Sequence, residues 1–207
     1  MDVKTTKRLK VIVIKNCLNI TLANGKAYVC AYDGEVQFDE VSPNGFVAEI
    51  DTSTLAVMRT VQEGRQPKEM AVVGSKLYIA NSGCYSPRNY ERTVSLIDLN
   101  TFVKIKYIDI AVNLHRLRTD AYGNLWASSR GDNVNESSKL LDIDRKTDAV
   151  KKIFDIACAN LTIVGDTAYI IGFDLSYTTF DQTISNSMIN VKIETPLAGG
   201  FLPKADW

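Results

Sequence analysis

The chain has 207 residues, 45% of them hydrophobic, and its 24 basic and 24 acidic side chains leave no formal net charge. That balance offers nothing to a nucleic-acid backbone or an anionic membrane surface, and no apolar run is long enough to span a bilayer. The four cysteines, Cys17, Cys30, Cys84 and Cys158, show neither metal-ligand spacing nor a CxxC pair.

Taken in order, Met1 to Arg8 lack the apolar core of a signal peptide, and Val11 to Ile14 is an apolar run of strand length. Read alone, this start implies a cytoplasmic protein. Lys7 to Lys15 reads as a strand that no hairpin of its own accompanies. From there one unit recurs. Ile-Asp-x-x-Thr is written at Ile50 to Thr54, Ile97 to Thr101 and Ile143 to Thr147, with copies 47 and 46 residues apart. Upstream of each lies a short aromatic strand, Lys26 to Tyr32, Lys76 to Asn81 and Asn124 to Ser129, with Tyr28, Tyr78 and Trp126 in register. A fourth aromatic strand, Thr167 to Gly172, carries Tyr169 in that slot, and Ile189-Asn190 is a decayed Ile-Asp.

Each copy reads as four strands, since runs of alternating Val, Ile, Leu and Tyr are separated by Gly, Asn, Asp and Ser clusters. No stretch has a helical period. The Asp of each Ile-Asp-x-x-Thr can accept a hydrogen bond from backbone two residues on, which makes the motif a hairpin corner and not a carboxylate cluster. A repeat of this length built from four short antiparallel strands implies an all-β fold, a β-propeller of about four four-stranded blades. The expected divisions are 1–16 as the outer strand of a preceding or closing blade, then blades at 17–66, 67–114, 115–157 and 158–207. Two architectures are compatible with four copies. Leu9 to Ile14 could close a four-bladed ring, or the chain could form an incomplete arc of a larger propeller. The arc is favoured, because the fourth copy has its own candidate outer strand at Lys192 to Leu197.

Pro67 to Val72, Lys76 to Gly83 and Val94 to Asp98 resemble the repeats of the YncE-like, YVTN-repeat propeller family, and Asn113 to Trp126 is similar to a Bacteroidota cell-envelope group within it. The resemblance covers most of the chain. It implies a propeller of about seven blades, an export signal, a periplasmic or cell-surface location and a binding function.

In repeats of this type the strand before the aromatic one is innermost, so its leading residues border the central channel, where propellers bind ligands. Counting back eleven positions from each slot aromatic gives Cys17, Pro67, His115 and Cys158. The candidate ligand-binding residues at the channel mouth are therefore Asn19, Lys68, Glu69, His115, Arg116, Arg118 and Asn160, with Arg130 at the end of the following strand. On this count Arg118 and Asp120 replace Met70 or Leu161 and Val72 or Ile163, so the third blade carries charge where its neighbours carry core. Arg118 and Asp120 could compensate one another, and Glu69 could pair with Arg116 or Arg118. Cys17 and Cys158 would be small buried thiols, bridgeable only in a four-bladed ring.

No nucleophile with a paired base is visible, so no catalytic residue is assigned. A non-enzymatic module binding a small molecule or an envelope protein is the leading expectation, with no cofactor. A metal-dependent hydrolase or lactonase is one alternative, with a divalent cation such as calcium held by Asn19, Glu69 and Asn160. A protein-interaction scaffold is the other, with self-association through uncovered blade faces.

Overall fold

The computed structural model describes residues 4–37, 40–83, 89–132, 134–165, 167–172 and 188–192. Its strands are β1 (Cys17–Ala23), β2 (Lys26–Tyr32), β3 (Asn44–Asp51), β4 (Ala56–Arg65), β5 (Pro67–Val73), β6 (Lys76–Asn81), β7 (Thr93–Asp98), β8 (Val103–Asp109), β9 (Leu114–Thr119), β10 (Leu125–Ser129), β11 (Lys139–Asp144), β12 (Ala149–Phe154), β13 (Cys158–Val164), β14 (Thr167–Gly172) and β15 (Met188–Lys192). They form four antiparallel meanders in the orders β1-β2-β3-β4, β5-β6-β7-β8, β9-β10-β11-β12 and β13-β14-β15. Apart from Lys192, the expected last outer strand lies outside the described residues, as does Cys84.

The Ile-Asp-x-x-Thr corners join the third and fourth strands of the first three blades. In each, one carboxylate oxygen accepts two backbone N–H groups. Asp51 takes those of Ser53 and Thr54 at 2.9 and 3.0 Å, Asp98 those of Asn100 and Thr101 at 2.8 and 3.0 Å, and Asp144 those of Lys146 and Thr147 at 2.7 and 3.0 Å. The residue after each Thr turns left-handed, with φ of 55° at Leu55, 58° at Phe102 and 55° at Asp148. These donors hold the Asp98 and Asp144 carboxyls below the usual carboxylate range. Asp98→Ala therefore lowers the melting temperature above the carboxylate range of pH. The difference from wild type vanishes as the pH falls through the depressed pKa, because a protonated Asp98 no longer makes these charge-assisted bonds. Thermal melts of both proteins across acid pH check this.

Stacking of the blades makes the core. One face of blade one, with Tyr28, Cys30 and Val47, meets Met70, Leu77, Ile79 and Ile97 of blade two. The other face of blade two, with Tyr78, Ala80 and Leu96, meets Leu117, Leu125 and Leu141 of blade three. Trp126 and Leu140 then meet Leu161 and Ile170 of blade four. The slot aromatics Tyr28, Tyr78 and Trp126 are almost fully buried, because each points at the next blade. Tyr169 points away from blade three and is 37% exposed.

Among the described residues the two outer faces are not joined to one another, so the blades make an arc. On the first, Ile20 and Leu22 are exposed; on the last, Val164 and Ile171 are. Residues 6–14 form no strand, contrary to the expected outer strand of a preceding or closing blade. The segment instead packs Ile12 and Ile14 onto Ala27, Val29 and Ile50 of the first face, while Leu9, Val11 and Val13 remain exposed. Its alternating pattern thus gives a partial cover to an apolar face.

Candidate functional site

The inner strands β1, β5, β9 and β13 lie side by side and set the register of the channel. Their first residues, Cys17, Pro67, Leu114 and Cys158, pair with the ends of the aromatic strands, and a bulge follows each. After the bulge, Asn19, Glu69, Arg116 and Asn160 occupy one equivalent position. The third blade is thus displaced by one residue from the count made on the sequence. His115 corresponds to Lys68, and Leu114 takes the place assigned to His115.

The cause is the hairpin between β9 and β10. Two residues suffice between β5 and β6, but Asp120 to Asn124 separate β9 from β10. Asp120 organises that longer turn. Its Oδ1 accepts the N–H groups of Tyr122 and Asn124 at 2.9 and 2.8 Å, and its Oδ2 accepts Asn124 Nδ2 and Trp126 Nε1 at 2.9 and 3.1 Å. Leu117, 1% exposed, fills the core position of Met70 and Leu161, so the charged break inferred at Arg118 and Asp120 does not exist in the core. Arg118 and Asp120 are not a compensated pair either, because Arg118 reaches Glu69.

At the equivalent position each blade reaches its successor. Asn19 Oδ1 accepts the N–H of Met70 at 3.3 Å. Glu69, 3% exposed, accepts the N–H of Leu117 at 2.8 Å through Oε2, which also meets Arg118 Nη1 at 2.5 Å, and Oε1 lies 3.6 Å from Arg116 Nη1. Arg116 cannot accept, and its Nε points instead to the carbonyl oxygen of Ala159 at 3.5 Å. The N–H of Leu161 is then left to the side chain of its own neighbour, Asn160 Oδ1, at 3.0 Å. Asn19, Glu69 and Asn160 thus all have their oxygens on backbone N–H groups. Among the described residues, no three His, Cys, Asp or Glu side chains converge as a metal site.

The bulge side of the same strands is basic. His115 is partly buried, its Nδ1 has no hydrogen-bond partner among the described residues, and Arg130, Arg116 and Lys68 surround it with positive charge. Burial first, and those three cations second, push its pKa down to about 3. Arg130 sits where β10 leaves the sheet, its N–H bonded to the carbonyl of Asn113 at 3.1 Å, and its carbonyl receives Ser138 Oγ at 2.9 Å. Four of the candidate residues, Lys68, His115, Arg116 and Arg130, therefore come together. Arg118 is tied to Glu69, and Asn19 and Asn160 serve the backbone. Cys158 is buried as expected and burial raises its thiol to about 11, whereas Cys17 at the equivalent position is exposed, since among the described residues no blade packs on that side of it.

The arrangement of meanders is shared with solved structures. Hydrazine synthase of Kuenenia stuttgartiensis superposes with a TM-score of 0.62 at 18% identity, covering 82% of this chain and 48% of that one. A protein of unknown function from Bacteroides caccae gives 0.56 at 9% identity, covering 88% and 66%. The β-propeller domain of the Trilobed protease of Pyrococcus furiosus, which has an open velcro topology, gives 0.52 at 12% identity, covering 79% and 50%. The fold is a β-propeller. The chain spans between about half and two thirds of the length of these three neighbours. No protein-family model and no curated protein sequence matches it.

Proposed function

We propose that the chain is a non-enzymatic β-propeller binding module of the cell envelope whose channel mouth takes a small anion, a carboxylate or phosphate. One observation carries this reading. A lone histidine is kept neutral by burial and by three neighbouring cations, while Glu69, 3.6 Å from Arg116, already accepts a backbone N–H and Arg118 through its other oxygen. An anion there would meet Lys68, Arg116 and Arg130 in a partly dehydrated setting, where each interaction is stronger than in water. The envelope location rests on the resemblance of Pro67 to Gly83 and Asn113 to Trp126 to the YncE-like family.

The experiment follows from His115 being the only histidine. Its ring-proton resonances are titrated by NMR with and without inorganic phosphate or citrate. A bound anion offsets the three cations and raises the His115 pKa by about one unit or more. Arg116→Ala weakens the anion about tenfold, as expected for loss of one charge-assisted contact. If neither anion shifts the resonances, the proposal fails.

A second reading, a protein-interaction scaffold, is favoured by the exposed apolar side chains on the outer faces of blades one and four. Partners held there would survive Arg116→Ala.

A further inference from the structure

Aligning the blades on their Ile-Asp corners puts Ile110 and Ile156 at one position just past the outer strands of blades two and three, each packed into the interface with the next blade. Blade one has Glu63 there. It pairs across to Gly45 on the face that carries Val47 and Val61 toward blade two, and it is 3% exposed. Neither of its carboxylate oxygens has a hydrogen-bond partner among the described residues. A charged side chain therefore replaces the hydrophobic one that the repeat uses to seal the same interface, which marks a local departure with a cause other than folding.

Gln66 and Asn81 are fully buried, and Gln66 Oε1, Gln66 Nε2 and Asn81 Oδ1 lack partners among the described residues. Asn81 Nδ2 is fixed by Thr93 Oγ1 at 3.1 Å and Ser95 Oγ at 2.7 Å, which directs the amide. Gly64 lets the backbone after Glu63 approach closely, because a Cβ there would lie 2.5 Å from the Asn81 side chain. Glu63 lines a cavity of about 420 Å³ together with Asn44, Glu91, Thr93, Lys104 and Tyr107. On that lining the unsatisfied buried side-chain atoms among the described residues are the two carboxylate oxygens of Glu63, both acceptors.

The cations nearby do not fill this need. Lys104 Nζ bonds the carbonyl of Gln62 at 3.1 Å and the Tyr107 hydroxyl at 2.5 Å, and it lies over the Tyr107 ring. Arg65 is held by Glu91 at 3.1 Å. A residue this buried, acidic and unpartnered, at the base of an open groove, calls for a donor-rich positive group from outside.

We propose that the groove between blades one and two binds an organic cation bearing N–H donors, a primary ammonium or a guanidinium group, with Glu63 as its counter-charge. Asn44 and Thr93 line the groove beside Glu63, and Lys104 and Tyr107 form the rim. The other charged and titratable groups on the pocket lining are Glu91, Lys104 and Tyr107, with Arg65 held by Glu91. Binding is tightest where Glu63 is ionised.

The test is thermal melting at about pH 8 with propylammonium and methylguanidinium at low millimolar concentration. Tetramethylammonium serves as a cation without N–H donors, and calcium chloride as a hard cation. Propylammonium or methylguanidinium raises the wild-type melting temperature by about 3 °C or more, as a ligand of the native state must. Tetramethylammonium does not. Glu63→Gln, which keeps the shape, and Glu63→Ile, which restores the residue of the repeat, both abolish the rise, whereas His115→Ala retains it. No rise with either N–H cation overturns the proposal. So does a rise seen with calcium alone, or one that persists in both Glu63 variants.

Discussion

Replacing Glu69 by alanine lowers stability by about 2 to 4 kcal/mol, from a buried N–H left without its acceptor and the loss of a part-exposed ion pair. The carboxylate joins two inner strands that share no sheet. Its loss leaves the N–H of Leu117 without an acceptor inside the interface between blades two and three, and it leaves Arg118 and Arg116 facing one another without compensation. Glu69→Gln retains an acceptor for Leu117 but not the charge, so its cost is smaller, about 1 to 2 kcal/mol. Urea unfolding of the three proteins gives the differences. A double-mutant cycle with Arg118→Ala isolates the pair, and a coupling indistinguishable from zero would mean that the Leu117 bond alone is what matters.

Glu63→Ile acts in the opposite direction. Burial pushes the Glu63 carboxyl up to about 7 from an ordinary value of 4.5, against weaker opposing influences from the Ser95 hydroxyl and Lys104. The folded state therefore binds a proton that the unfolded state releases. Stability associated with this group is fully present below about pH 4.5 and is lost as the pH rises through about 7. Above that, the wild type carries a buried charge that Ser95 and Lys104 offset only in part, costing on the order of 3 kcal/mol. Glu63→Ile removes that slope and is more stable than wild type by up to this amount at about pH 8, with the gap closing toward acid. His115 acts over an overlapping range with the other sign, because a histidine pushed down to about 3 favours unfolding as the pH falls below 6.5. The comparison must therefore be made as the difference between variant and wild type at each pH. A difference that stays constant with pH would show that Glu63 is not the titrating group.

The blades were legible in the sequence because their corners are local. An Asp that accepts two N–H groups within its own turn needs no distant partner, so Asp51, Asp98 and Asp144 mark the hairpins wherever they stand. The inner-strand register was not legible in blade three, since position there depends on a turn length that the Asp120 network fixes through Trp126. A constant spacing back from Trp126 starts the strand at His115, one residue too far along, and so puts Arg118 where the core leucine Leu117 belongs. The gathering of Lys68, His115, Arg116 and Arg130 was foreseen in composition but not in division of labour. Whether Asn19 or Asn160 faces a ligand or a neighbouring N–H depends on the spacing between blades, which no single strand reveals. Glu63 was overlooked for a related reason. Alone, Val61 to Gly64 reads as the polar end of an outer strand, and only alignment with Ile110 and Ile156 shows that it lies in the seam.

The succession of inter-blade bonds has a consequence for how such a gene could be rearranged. Asn19 and Glu69 present acceptors to the blade that follows, and Arg116 presents a donor. Blade four is adapted to a donor, because Asn160 supplies the acceptor for Leu161 that its predecessor withholds. Blade two is not: Met70 N–H needs an oxygen from across the seam. Blades one and two could each precede blade three, but blade three placed before blade two would set a guanidinium against an N–H. Recombination of these units is therefore constrained by a grammar of donors and acceptors, one in which near-identical segments are not synonyms.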